Sequence, residues 1–278
     1  MLGDDRQGAG HGIEEGHRRQ LELDLHGAPV ERTEIVRRLL AGNGVVGNPG
    51  FLPPDHPFHV DVEQYAFDPE AANRLLDRAG YPRRTPNEVR SGPDGEPLSL
   101  RILVGNSPVP PFLDLLVGGL AKVGIELQPL SVDLPTLFGR LQDGDYEMAV
   151  SLYPGPGGTA PSADPDTLRT FYSSRIEGRL QGARGYVDEE FDRLARQQLV
   201  TADREERMRL VARMQRLVAG DVPALPLYYP TLFSAFRKDV LDRWYYTPGG
   251  FAGGLPTVLN KHVFVTGSRT GLEIRGRA

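Results

Sequence analysis

The chain has 278 residues, of which 39% are hydrophobic and 25% charged, with 32 basic and 37 acidic side chains and a formal charge of -5. This composition fits one large globular domain or two modest ones and excludes disorder throughout; positive charge scattered among more numerous acids argues against a nucleic-acid partner. With no cysteine, a thiol nucleophile, a disulfide framework and a Cys-ligated zinc site are all excluded.

Residues 1–30 mix glycine, histidine and charge without a sustained period and read as a poorly ordered segment. Asp4, Asp5, Glu14 and Glu15 interrupt the first twenty residues, so they do not form the apolar core of a signal peptide, and no later run is long enough to span a membrane. From Thr33 onward, Ile35, Val36, Leu39 and Leu40 recur at helical spacing with Arg37 and Arg38 opposite, and Gly42 follows as a stop. Asn43 to Phe58, rich in glycine and proline, reads as a loop. Its two histidines, His56 and His59, are three apart in a loop with no second pair nearby, and they read as solvated rather than as metal ligands.

Asp68-Pro69-Glu70 predicts a helix start: Asp68 caps, Pro69 has no N–H to leave unpaired, and Glu70 suits the positive end of the dipole. The helix runs to about Ala79, with Gly80 after it. Ser91 to Gly95 is a turn or hairpin tip, and Leu98 to Val104 a strand. A helix over Pro111 to Val123, a strand over Ile125 to Leu130, a helix over Leu134 to Leu141 and a strand through Tyr146, Met148 and Val150 follow. This alternation predicts a parallel α/β lobe in which crossover helices cover the sheet. Function in such lobes sits at the C-terminal strand ends. Here these are Gly105-Asn106-Ser107, Ser131-Val132-Asp133, and Ser151-Leu152-Tyr153 leading into Gly155-Pro156-Gly157-Gly158. That glycine run lacks the Gly-Lys-Ser/Thr ending of a phosphate loop and reads as a hinge or flexible loop.

Asp188 to Leu199 and Asp203 to Ala219 are amphipathic helices, the second opening on an Asp203 to Glu206 capping-box spacing. Leu225-Pro226-Leu227-Tyr228-Tyr229 is an edge-type strand, since proline is excluded from central strands. Trp244-Tyr245-Tyr246 reads as core or packing between lobes, and the tail from Gly267 as frayed.

Four stretches, in this order and spacing, resemble the family 5 extracellular solute-binding proteins that serve ATP-driven importers of oligopeptides, dipeptides, nickel and some sugars. They are Tyr65 to Tyr81, Gly144-Asp145-Tyr146-Glu147-Met148, Asp164-Pro165-Asp166-Thr167-Leu168 with Phe171-Tyr172-Ser173-Ser174, and Asp203 to Tyr229. The resemblance covers roughly residues 33–265 and matches the later half of a family member. It implies an α/β, type II periplasmic-binding-protein-like lobe with a mixed, mostly parallel sheet, the second lobe being largely missing. Residues 31–225 then form the C-terminal lobe, and residues 226–278 are a return strand and tail belonging to the first lobe. The family's helix leading into Ile35 is normally continuous, whereas Gly27 and Pro29 break it here.

The resemblance implies no catalysis and no cofactor. Ligands in this family lie between the lobes, held by backbone groups, aromatic walls and a few charges. Tyr153 is the candidate stacking wall and Asp164 or Asp166 the candidate partner for a ligand amine; the alternative for the Asp164-Pro165-Asp166 run is a helix or turn cap. Peptide-binding relatives carry a tryptophan and an aspartate earlier in this loop, where Tyr153 to Thr159 stands here, a departure that weakens a peptide assignment.

The leading reading is a binding module for a peptide-like or other small polar solute, delivering to the membrane permease of an ABC importer, periplasmic or extracellular by family resemblance and cytoplasmic if no signal is added. Competing readings are a truncated remnant without ligand and an α/β hydrolase. The last lacks a Gly-x-Ser-x-Gly elbow, Gly105 to Val109 being a partial echo. A lone lobe would expose the surface its counterpart covers, which predicts self-association or a separately encoded N-terminal half.

Overall fold

The computed structural model describes residues 27–83, 85–106, 109–150, 164–176 and 185–231. Its centre is a three-stranded parallel sheet of β4 (Ser99–Gly105), β5 (Glu126–Val132) and β6 (Met148–Ala149), in the order β5-β4-β6. Two crossover helices join them, α3 (Leu113–Lys122) and α4 (Leu134–Asp143). The expected parallel α/β order is therefore present, with Ser99 opposite Glu126, Gly105 opposite Val132 and Ile102 opposite Met148.

Period two divides β4 between two cores. Ile102 and Val104 face Leu113, Leu116 and Ile35, the last from helix α1 (Arg32–Leu39), whereas Leu103 faces Leu137 and Leu141 of α4. The helix stops follow local chemistry: Asp133 accepts from Thr136 N at 2.8 Å to start α4, and Gly144, at φ 76°, ends it in the left-handed region. Helix α2 (Pro69–Arg78) starts as expected, the Asp68 carboxylate accepting from Ala71 N at 2.8 Å.

A second, helical core joins α5 (Asp166–Tyr172), α6 (Glu189–Val200) and α7 (Arg204–Asp221), with Leu168, Tyr172, Phe191, Val211 and Met214 buried in it. The capping box at Asp203 is half formed. Asp203 accepts from Glu206 N at 2.7 Å, while the Glu206 carboxylate pairs with Arg209.

The loop over residues 43–58 departs from expectation. It contains β2 (Gly44–Val46), antiparallel to β7 (Tyr228–Pro230), which confirms the edge-type strand and supplies its partner. Phe51 and Leu52 leave this loop to enter the helical core, Phe51 with φ 77° and its ring centroid 4.7 Å from that of Phe171. Near the start of the described chain, β1 (Gly27–Ala28) pairs in parallel with β3 (Ala66–Phe67), so the Gly and Pro that break the expected helix there accompany a short strand.

A candidate solute edge and an arginine cleft

Because the three central strands run the same way, their C-terminal ends open on one edge of the sheet at Gly105, Val132 and Ala149. Asn106 N donates to Val132 O at 2.8 Å, carrying the pairing one residue past the strand. A Cβ at Gly105 would lie 3.2 Å from Leu134 Cδ2, so the small residue lets α4 approach this end closely. Asp133 is committed to its helix: the hydrogen bond from Thr136 holds its carboxyl below the usual carboxylate range. Among the described residues this edge offers backbone groups and apolar surface, with Leu134 41% exposed, rather than free charge. Ser107, Tyr153 and the Gly155 to Gly158 run lie outside the described residues.

Asp164 and Asp166 enter one network that ties α5 to α6 and α7. Arg207 Nη2 donates to Asp164 Oδ1 at 2.6 Å, and Asp166 N donates to the same oxygen at 2.9 Å. Arg169 grips Asp166 with two bonds of 2.6 Å, and Gln198 Nε2 adds a third at 2.8 Å. Gln198 is fully buried and accepts from Arg207 Nε at 2.9 Å, closing the circuit. The capping alternative thus holds in part: Asp164 stabilises the start of α5 through the Asp166 N–H, while Pro165 occupies the cap position without a side-chain bond. Arg204 and Arg207 lie 5.9 and 5.7 Å from the centroid of the Phe58 ring, which brings the loop over residues 43–58 to this network.

His56, expected to be solvated, is 4% exposed. Its Nδ1 accepts from Phe58 N at 3.1 Å, and burial pushes its pKa down to about 4, opposed by the charge of Asp164. Polar residues buried behind a proline-rich stretch leave no periodic signal, which is why sequence reading missed this. His59 places Nδ1 2.9 Å from Leu52 O and 3.3 Å from Asn48 Nδ2.

The arrangement that sequence reading missed most completely is a cleft of about 480 Å³ lined by Arg32, Thr33, Asn48, His59, Gln64 and Phe67 among others. Arg32, at the first position of α1, is 4% exposed. Its Nη1 donates to Gly47 O at 2.8 Å and Pro226 O at 3.3 Å, and its Nη2 to Tyr65 O at 3.2 Å. One guanidinium thereby joins α1, the end of β2, the segment before β3 and the segment before β7. Burial holds its pKa below the ordinary arginine value, with the Tyr65 and Tyr229 hydroxyls opposing. At Gly47 a Cβ would sit 2.3 Å from Pro226 O, so this junction closes only around glycine.

With this geometry in hand, comparison with known proteins is direct. Residues 30–178, more than half of the chain, match the profile of the bacterial extracellular solute-binding proteins, family 5 Middle. The heme-binding protein A of Haemophilus influenzae is 24% identical over 213 residues, covering 76% of this chain and 36% of the relative. A di/tripeptide-binding protein of Pseudomonas aeruginosa is 28% identical over 185 residues, covering 64% of this chain and 31% of the relative. The crystal structure of NikA from Brucella suis in complex with Fe(III)-EDTA superposes with a TM-score of 0.63 at 22% identity, over 80% of this chain and 43% of that one. The chain thus spans about a third of the length of these curated relatives, and its fold is that of part of a type II periplasmic binding protein.

Proposed function

The chain belongs to the family 5 bacterial extracellular solute-binding proteins, and from that premise we propose that it supplies one wall of a solute cleft and hands a peptide-like or other small polar solute to the permease of an ABC importer. The observation that carries this reading is the family match over residues 30–178 falling on a parallel α/β lobe whose strand ends share one edge. Such an edge suits a small polar solute, since ligands of parallel α/β sheets bind at the C-terminal strand ends.

Within this reading Tyr153 supplies an aromatic wall. Of the two acids, Asp164 keeps 48% of its side chain exposed and so retains surface for a ligand ammonium, while Asp166 is committed to Arg169 and Gln198. Residues 31–225 act as the lobe and residues 226–278 as the segment returning to a second lobe. Work outside the cytoplasmic membrane follows from the family; among the described residues no helix is long and apolar enough to cross a membrane.

A thermal-shift panel of dipeptides, tripeptides, heme and chelated metals on the purified chain, alone and with an N-terminal lobe from a relative, tests the reading. A ligand at 100 times its dissociation constant stabilises by about 2.7 kcal/mol, enough to raise the midpoint by several degrees. An Asp164→Asn change that abolishes the shift for an amine-bearing ligand supports the assigned role. No shift with any ligand, in either form, contradicts the function.

A further inference from the structure

We infer that the cleft over Arg32 is a second binding site, for the carboxylate of a small solute. The inference goes beyond the proposed strand-edge site and uses none of its residues. Three features converge. Arg32 lies 4% exposed at the base of a cleft of about 480 Å³, a size that admits a small organic acid. Its cation is compensated by three backbone carbonyls and, among the described residues, by no carboxylate. That leaves Nε–H and one Nη2 hydrogen without a partner among the described residues, a pair of donors of the kind a carboxylate engages together.

The second feature is the adjacent residue. Thr33 lines the same cleft, and its N–H, in the first turn of the eight-residue helix α1, has no acceptor among the described residues; nor does its hydroxyl. Glu31 at the N-terminal position of α1 makes no side-chain cap, and Glu34 in the first turn is engaged by Arg37 and Arg38, so neither takes up the Thr33 N–H. The third feature is the rim, where Gln64 brings an amide and Asp61, fully exposed, is the one acid lining the cleft. An acid at the rim and a guanidinium at the base order a ligand by charge: the carboxylate inside, any ammonium outside. Dianions are disfavoured by Asp61, and neutral amides lose the charge-assisted bonds.

Isothermal titration of the full chain with acetate, glycylglycine and acetamide tests this at low ionic strength. Glycylglycine is expected to bind most tightly and acetate to compete with it, while acetamide binds at least about tenfold more weakly, the loss of one charge-assisted bond. Ala66→Trp places bulk at the exposed rim of the cleft and is expected to weaken glycylglycine about tenfold without lowering the unfolding midpoint. Arg32→Lys keeps the charge, loses the fork and is expected to weaken acetate about tenfold. Equal binding of acetamide and acetate, or glycylglycine binding untouched by Ala66→Trp in a folded variant, overturns the site, as does absence of binding by every probe. Tyr153→Ala separates the two readings: it is expected to leave acetate binding at Arg32 unchanged, and if it abolishes that binding the cleft is not the site.

Discussion

Arg90 and Arg32 are each almost wholly removed from solvent, 1% and 4% exposed, and each ties together segments far apart in sequence. Their partners differ. Arg90 is matched by the Asp77 carboxylate and by Asn73 Oδ1 at 2.6 Å, and it also donates to Val123 O at 2.7 Å and to the Tyr81 carbonyl. Among the described residues Arg32 has backbone carbonyls alone, and it faces a cleft. A buried cation with a full complement of partners is scaffold, because removing it strands several groups at once. One that keeps donors in reserve beside a cavity can spend them on a ligand.

Several substitutions break or sharpen that contrast. The largest effect is expected at the scaffold arginine. Arg90→Met strands Asn73, Val123 and Tyr81 and unpairs Asp77, which is itself 54% exposed and can rehydrate; a loss of about 4 kcal/mol is expected in urea unfolding. Gly47→Ala attacks the other junction without touching its arginine. A Cβ 2.3 Å from Pro226 O must push the segment before β7 away from Arg32, at a cost of about 2–3 kcal/mol.

His56 adds a third buried group able to carry positive charge, and burial keeps it neutral. Its folded pKa of about 4 lies below the unfolded value of 6.5, so between those limits the unfolded chain binds more protons. Stability from this residue is therefore complete above pH 6.5 and falls as the pH drops toward 4, by about 3 kcal/mol. Urea midpoints at pH 7.5 and pH 4.5 measure this, and His56→Gln is expected to shrink the difference. The smallest effect is expected at Arg32→Met, about 1 kcal/mol, because water in the cleft can take over the carbonyls it leaves. A loss at Arg32 as large as that at Arg90 would erase the distinction between scaffold and site.

The sheet was legible because each of its elements carries a local signal. Alternation in Leu98 to Val104, Asp133 before Pro135 and Gly144 after Asp143 report strand, cap and stop within a few residues. β2 was not, since three residues inside a glycine- and proline-rich stretch form a strand only because β7 pairs with them from more than 180 positions away. Arg32 was invisible for a related reason: an arginine in a first helical turn reads as solvated, and the carbonyls it meets belong to Gly47, Tyr65 and Pro226, the last 194 residues on. Of the candidate site, Asp164 and Asp166 were singled out through the family resemblance, but their arginine partners were not, because Arg169 and Arg207 read equally well as the polar faces of amphipathic helices. Tyr153 lies outside the described residues, and its role stays a proposal.

The solute edge is tested most directly by mapping amide chemical shifts in the labelled chain as a solute identified by the thermal panel is titrated. The account predicts that the largest changes fall together on Asn106, Asp133 and Val150, at the ends of β4, β5 and β6, with a second group on Asp164. Changes confined to the helical core, or none at a saturating concentration of solute, would contradict it.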